Sequence, residues 1–181
     1  LRDQVLMGLF SPDLFIASGP ANGTSARDFL YENRGTQPGQ TFFRRMTTGA
    51  LATDLHDAQD YNWVDIDADG DLDCYVTNYG GLGGFQNTLY RNDAGVFLKL
   101  TAAVAGPIIS DAQHSLTSVW ADFDNDGDMD CFVTNDAGEF SMVYTNSGSG
   151  VFTNAAASAL HVLGPRYGAA AADFDQDGDV D

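Results

Sequence analysis

Three stretches of the chain carry one nine-residue pattern, Asp-x-Asp-x-Asp-Gly-Asp-x-Asp. The acids are Asp65, Asp67, Asp69, Asp71 and Asp73 in the first copy, and Asp122, Asp124, Asp126, Asp128 and Asp130 in the second. In the third they are Asp173, Asp175, Asp177, Asp179 and Asp181. Carboxylates at alternate positions repel one another, so five around a glycine are costly unless a cation sits among them. Hard oxygen donors crowded on a short loop suit Ca²⁺, which takes about six to eight oxygens in tolerant geometry. Gly70, Gly127 and Gly178 stand where the chain must turn sharply to aim its oxygens inward. The pattern predicts three calcium cages.

Other chemistry is harder to find. An EF-hand opens with the same D-x-D-x-D-G, but it needs a Glu at loop position 12, where this chain has Val76 and Val133. His56, His114 and His161 lack the spacing of a zinc site and read as polar loop residues. There is no G-x-S-x-G, no Cys/His pairing, and no lysine after Gly80-Gly81-Leu82-Gly83-Gly84 to hold a phosphate. The acids that could imitate a glycosidase pair are committed to metal, so no catalytic residue is assigned and the chain is not expected to be an enzyme. Asn22, in Asn22-Gly23-Thr24, is a possible glycosylation site. Trp63 and Trp120 each stand two residues before a loop, and this equivalent placement argues for packing between sheets rather than sugar stacking.

The elements that position the loops show in a longer period. An apolar run precedes each loop: Tyr61 to Val64, Ser118 to Ala121, and Ala169 to Ala172. The first two loops lead into Cys-aromatic-Val-Thr-Asn, at Cys74 to Asn78 and Cys131 to Asn135. Then come Leu89-Tyr90-Arg91-Asn92 and Val143-Tyr144-Thr145-Asn146, and the unit closes on Gly95-Val96-Phe97 and Gly150-Val151-Phe152. The N-terminal stretch fits the same frame through Asp13 to Ser18, Leu30 to Asn33 and Thr41 to Phe43. Where acids should stand it has Val5, Met7, Leu9 and Ser11, so this copy, with Asp13 alone, should bind no metal.

Last acids recur at intervals of 60, 57 and 51 residues, each interval holding about four strand-like runs between Gly, Asn and Asp turns. Such a unit indicates an all-β chain of β-propeller blades, each of four antiparallel strands, with about three blades present. The divisions are 1–60 for the degenerate repeat, 61–117 and 118–168 for the repeats with the first and second loops, and 169–181 for the start of the next. Segments 49–58 and 154–162 read as helical turns between blades. Cys74 and Cys131 follow their loops directly and read as buried thiols, with a disulfide between neighbouring repeats as the alternative.

Composition narrows the partners. Of 26 acidic residues, 15 lie in the three loops, and the formal charge is −18. Three calcium ions would bring this to about −12, still a surface that repels nucleic acid and anionic membranes. An apolar content of 44% supports a packed core, and no run is long enough for a transmembrane helix. The first residues do not form a signal peptide and the chain stops on a loop acid, so it reads as a segment of a longer protein.

The string W-x-D-x-D-x-D-G-D-x-D, with Thr-Asn, Leu-Tyr-x-Asn and Gly-x-Phe after it, resembles the FG-GAP/VCBS repeat. Tyr167-Gly168 before the third loop is similar to its Phe-Gly start, and Thr-Asn in place of Gly-Ala-Pro is closer to the bacterial VCBS style than to integrin α-chains. The resemblance covers nearly the whole chain. It implies part of a seven- or eight-bladed propeller with side chains at loop positions 1, 3, 5 and 9 on calcium. The position 7 carbonyls of Asp71, Asp128 and Asp179 would complete the sites. It also implies a secreted or cell-surface adhesion or recognition module that meets a protein or glycan. Rival readings are a fibre subunit that self-assembles through open sheet edges, or the scaffold of a secreted carbohydrate-active enzyme or lectin.

Overall fold

The runs that flank the first two acidic loops are rich in aromatic and β-branched residues, and they fold as antiparallel strands. The structure is a computed structural model that describes residues 13–18, 26–34, 43–80, 85–155 and 158–180. Val5, Met7, Leu9, Ser11, Asn22, Thr41, Phe42, Gly81, Gly83, Gly84 and Asp181 lie outside the described residues.

The first repeat supplies β1 (Leu14–Ile16), a short β2 (Ala26–Arg27), β3 (Phe29–Asn33) and β4 (Phe43–Arg45). Of these, β1, β3 and β4 form one antiparallel sheet. A helical turn, α1 (Ala50–Thr53), and β5 (Leu55–His56) lead into the second repeat. That repeat contains β6 (Ala58–Val64), β7 (Asp73–Asn78), a short β8 (Phe85–Gln86), β9 (Thr88–Asp93) and β10 (Val96–Lys99). Its blade is ordered β6-β7-β9-β10. After α2 (Ala102–Ala105), a 3₁₀ turn (Gly106–Ile109) and β11 (Ala112–Gln113) come β12 (Ser115–Ala121), β13 (Asp130–Asn135), β14 (Met142–Asn146) and β15 (Phe152–Asn154). These last four form the next blade in chain order.

The all-β blade architecture expected from the repeat is therefore present. One expectation differs. Segment 49–58 does make a helical turn, but 154–162 makes only strand end and turns among its described residues, and the helical connection falls instead at 102–109. The Ala169–Ala172 run forms no strand. No helix among the described residues is long and apolar enough to cross a membrane.

The central strand explains its own sequence. Alternation sends Cys74 and Val76 of β7 into one core with Leu51, Ala58 and Tyr90, packed by Phe15 and Leu30 of the first repeat. It sends Tyr75 into a second core with Val64, Ile66, Cys131, Val133 and Tyr144. A blade covered on both faces needs apolar residues on both, so β7 is buried throughout. The two thiols belong to different cores and are free, which removes the disulfide alternative. Burial pushes both thiols above their ordinary range, leaving them unreactive.

Each seam between blades repeats three devices. Trp63 packs edge-on between Phe15 and Phe97 at 6.2 and 5.7 Å, and Trp120 between Tyr75 and Phe152 at 5.4 and 5.8 Å, as sheet packing requires. Two-stranded clasps, β2 with β5 and β8 with β11, hold each blade to the lead-in of the next. The Tyr of the Tyr-x-Asn strand in the second and third repeats reaches an Asp in that lead-in, Tyr90 to Asp54 at 2.8 Å and Tyr144 to Asp111 at 3.0 Å.

Candidate metal centres

The first two acidic loops each join the first two strands of a blade, so the ladder that ends at Val64 opposite Asp73, or Ala121 opposite Asp130, fixes both ends of the loop. Inside, the turn is made by two left-handed residues. The glycines Gly70, Gly127 and Gly178 have φ of 92°, 96° and 102°. The residues two before them, Ala68, Asn125 and Gln176, have φ of 57°, 59° and 64°. Sequence reading found the glycine; it missed the other position, because Ala and Gln give no sign of a left-handed backbone. Strain repeated three times in one place marks a loop held by something stronger than local preference.

The carboxylates first organise the loop itself. Both oxygens of Asp65 accept backbone N–H groups, from Asp69 at 3.2 Å and Gly70 at 3.0 Å. Asp122 does the same for Asp126 and Gly127, and Asp173 for Asp177 and Gly178. The fifth-position acids Asp69, Asp126 and Asp177 each accept the N–H two residues on, from Asp71, Asp128 and Asp179. The last acid closes the loop onto the blade. Asp73, fully buried, takes the N–H of Ile66 at 2.9 Å and that of Asn92 at 2.7 Å; Asp130 takes Phe123 at 2.9 Å and Asn146 at 2.8 Å.

Each loop also gathers carboxylate oxygens from three of its acids. One oxygen each from Asp65, Asp67 and Asp73 lie within 4.8 Å of one another, as do those of Asp122, Asp124 and Asp130, and of Asp173, Asp175 and Asp177. Ligand distances of about 2.3–2.6 Å let a single calcium ion touch all three oxygens of such a set. Asp67 Oδ1 is buried with no hydrogen-bond partner, which is the group a hard cation would satisfy. Burial, then the charges of Asp69 and Asp65, pushes the Asp67 carboxyl up; burial also raises Asp73, Asp124 and Asp130. Divalent charge would reverse each of these shifts.

The described loop acids divide by position. The first two clusters join positions 1, 3 and 9, while Asp69 and Asp126 stay outside them; the third joins positions 1, 3 and 5. The side chains at position 7 face elsewhere: Asp71 Oδ2 accepts the N–H of Ala94 at 2.9 Å, and Asp179 Oδ1 accepts Asn125 Nδ2 at 3.1 Å.

One polar group was misjudged from sequence. His56, read as a loop residue, is 3% exposed. Its Nδ1 lies 2.6 Å from Asp28 Oδ2 and its Nε2 2.9 Å from the Tyr90 hydroxyl. Tyr61 also donates to Asp28, and Ser18 N–H to Asp28 Oδ1 at 2.7 Å, so the cluster joins the first repeat to the second. Burial, then the hydrogen bond to Asp54, holds the Tyr90 hydroxyl well above the phenol range, so it stays a donor. Asp13, the one acid of its repeat's loop frame, also serves the backbone. Its Oδ1 accepts the N–H of Asn33 at 2.8 Å, the same bond that Asp73 makes to Asn92.

A family model for the FG-GAP-like repeat matches residues 65–133 and again 122–181, each match running from one acidic loop into the next. No curated protein matches the chain.

Proposed function

The chain belongs to the FG-GAP-like repeat family, and from that premise we propose a calcium-stabilised β-propeller module that acts outside the cell in adhesion or recognition. The observation that carries the calcium reading is the first cluster, three carboxylates brought within 4.8 Å with the buried Asp67 Oδ1 unpartnered. Bound calcium would supply the positive charge that such a set lacks. Asp65, Asp67 and Asp73 would hold it in the first loop, Asp122, Asp124 and Asp130 in the second, and Asp173, Asp175 and Asp177 in the third. Asp65 and Asp122 keep the turn folded, and Asp73 and Asp130 transmit its order to the third strand of the blade.

Extracellular calcium is abundant enough to fill sites of the millimolar class, which favours that compartment. The partner meets the end of the blades opposite the loops. There Asp57, Asn78, Phe85, Gln86 and Ala112 line a cleft of about 600 Å³, formed by connections that can vary without disturbing the sheets.

Thermal melting tests the calcium reading. Moving from EDTA to 2 mM CaCl₂ should raise the melting temperature by roughly 5 °C or more, as expected when a ligand binds only the folded chain. An identical curve in both buffers would refute it.

A further inference from the structure

We infer that the first and second cages load together, because Asn146 ties one to the other across the seam between blades. This rests on the calcium reading above and goes beyond it. Asn146 ends β14 and is 5% exposed. Its backbone N–H donates to Asp130 Oδ1 at 2.8 Å, and its Nδ2 to the Met129 carbonyl at 3.1 Å, both in the second loop. The same Nδ2 donates to the carbonyl of Ile66 at 2.8 Å, in the first loop of the preceding blade. Gly150 N–H reinforces that contact at 3.1 Å.

Ile66 is well placed to carry the coupling. It stands between Asp65 and Asp67, its N–H donates to Asp73 Oδ2 at 2.9 Å, and its side chain, 1% exposed, is locked in the core shared by the two blades. Ordering Asp65, Asp67 and Asp73 therefore fixes the peptide groups on both sides of Ile66. A fixed Ile66 carbonyl aligns the Asn146 amide, and the Asn146 backbone aligns Asp130. The path contains three hydrogen bonds and no exposed side chain. Asn92 repeats the contacts inside its own blade, N–H to Asp73 at 2.7 Å and Nδ2 to Leu72 at 3.0 Å. Coupling is reciprocal, so each cage must help the other by the same factor.

The test reads each cage separately. Gly70 N–H donates to Asp65 Oδ2 and Gly127 N–H to Asp122 Oδ2, so their amide NMR signals report the first and second loops. In a CaCl₂ titration of the calcium-free chain, Asp67→Asn should raise the midpoint at Gly127 about fivefold. Asp124→Asn should raise the midpoint at Gly70 equally. With Asn146→Ala both midpoints rise, and Asp67→Asn no longer alters Gly127. If Asn146→Ala does not fold, the two ligand variants still decide the matter, since neither touches Asn146. A Gly127 midpoint unchanged by Asp67→Asn overturns the coupling while leaving the cation reading intact. Calcium that moves neither glycine overturns both.

Discussion

The first and second repeats share one clamp and differ in what surrounds it. Asp13 Oδ1 accepts the Asn33 N–H at 2.8 Å, and Asp73 Oδ1 accepts the Asn92 N–H at 2.7 Å. Around Asp73 stand four further acids; the matching positions before Asp13 are Val5, Met7, Leu9 and Ser11. The last acid thus has two duties, tying the second strand of a blade to the third and completing a cluster. Only the first duty survives without the other acids. The second repeat commits a fully buried carboxylate to both, whereas Asp13 is exposed.

That contrast can be broken at the two aspartates. Asp73→Ala strips the acceptors from the Ile66 and Asn92 amides and should cost about 3–6 kcal/mol, taking two charge-assisted hydrogen bonds at roughly 1.5–3 each. It should also abolish the stabilisation by calcium at that loop. Asp13→Ala removes one bond at an exposed site and should cost about 1 kcal/mol, equally in EDTA and in calcium. Urea denaturation in both buffers measures all four values. Equal losses at the two positions would mean that Asp73 is only a strand clamp.

The first repeat is fastened to the second by other means. Asp28 and His56, with side chains 0% and 2% exposed, form the polar centre of that seam. Asp28→Ala leaves His56, Tyr61 and the Ser18 amide facing a void, and a broken buried pair costs about 3–5 kcal/mol. The loss should be the same with or without calcium. A loss that calcium repairs would place this seam under the control of the cages and erase the difference between the repeats.

The parts of the molecule that were legible in sequence are those fixed by local pattern. The β-rich Cys-aromatic-Val-Thr-Asn runs and the phase of Trp63 and Trp120 announced packed strands, and the spacing of the acids announced the loops. What was hidden depends on partners distant in sequence. His56 meets Asp28 and Tyr90, separated by 28 and 34 residues, and nothing in its own neighbourhood marks it as buried. A trace of the Tyr latch was present, since Asp54 and Asp111 each stand eleven residues before a loop. The clamp at Asp13 left no sign in the sequence because its bond is to a backbone amide, which has no residue type to read. The Ile66 to Asn146 contact, 80 residues apart, was invisible for the same reason.

The left-handed position in the loops gives the smallest test of what a cage imposes. An L-residue there costs about 1–2 kcal/mol, except that Asn tolerates it. Ala68, at φ 57°, bears that cost with nothing to offset it; Asn125, at φ 59°, lowers it and also donates to Asp179 at 3.1 Å. Ala68→Gly removes the clash of Cβ with the backbone but gives the unfolded chain more freedom, which returns about 0.5–1 kcal/mol. The net gain should be roughly 0.5 kcal/mol, read as a rise of about 1–2 °C in melting temperature. Asn125→Gly should give no gain, because the hydrogen bond to the third loop is lost with the side chain. If Ala68→Gly instead lowers the melting temperature, the methyl group contributes packing that outweighs its backbone strain, and the turn geometry is not a cost that the cage must cover.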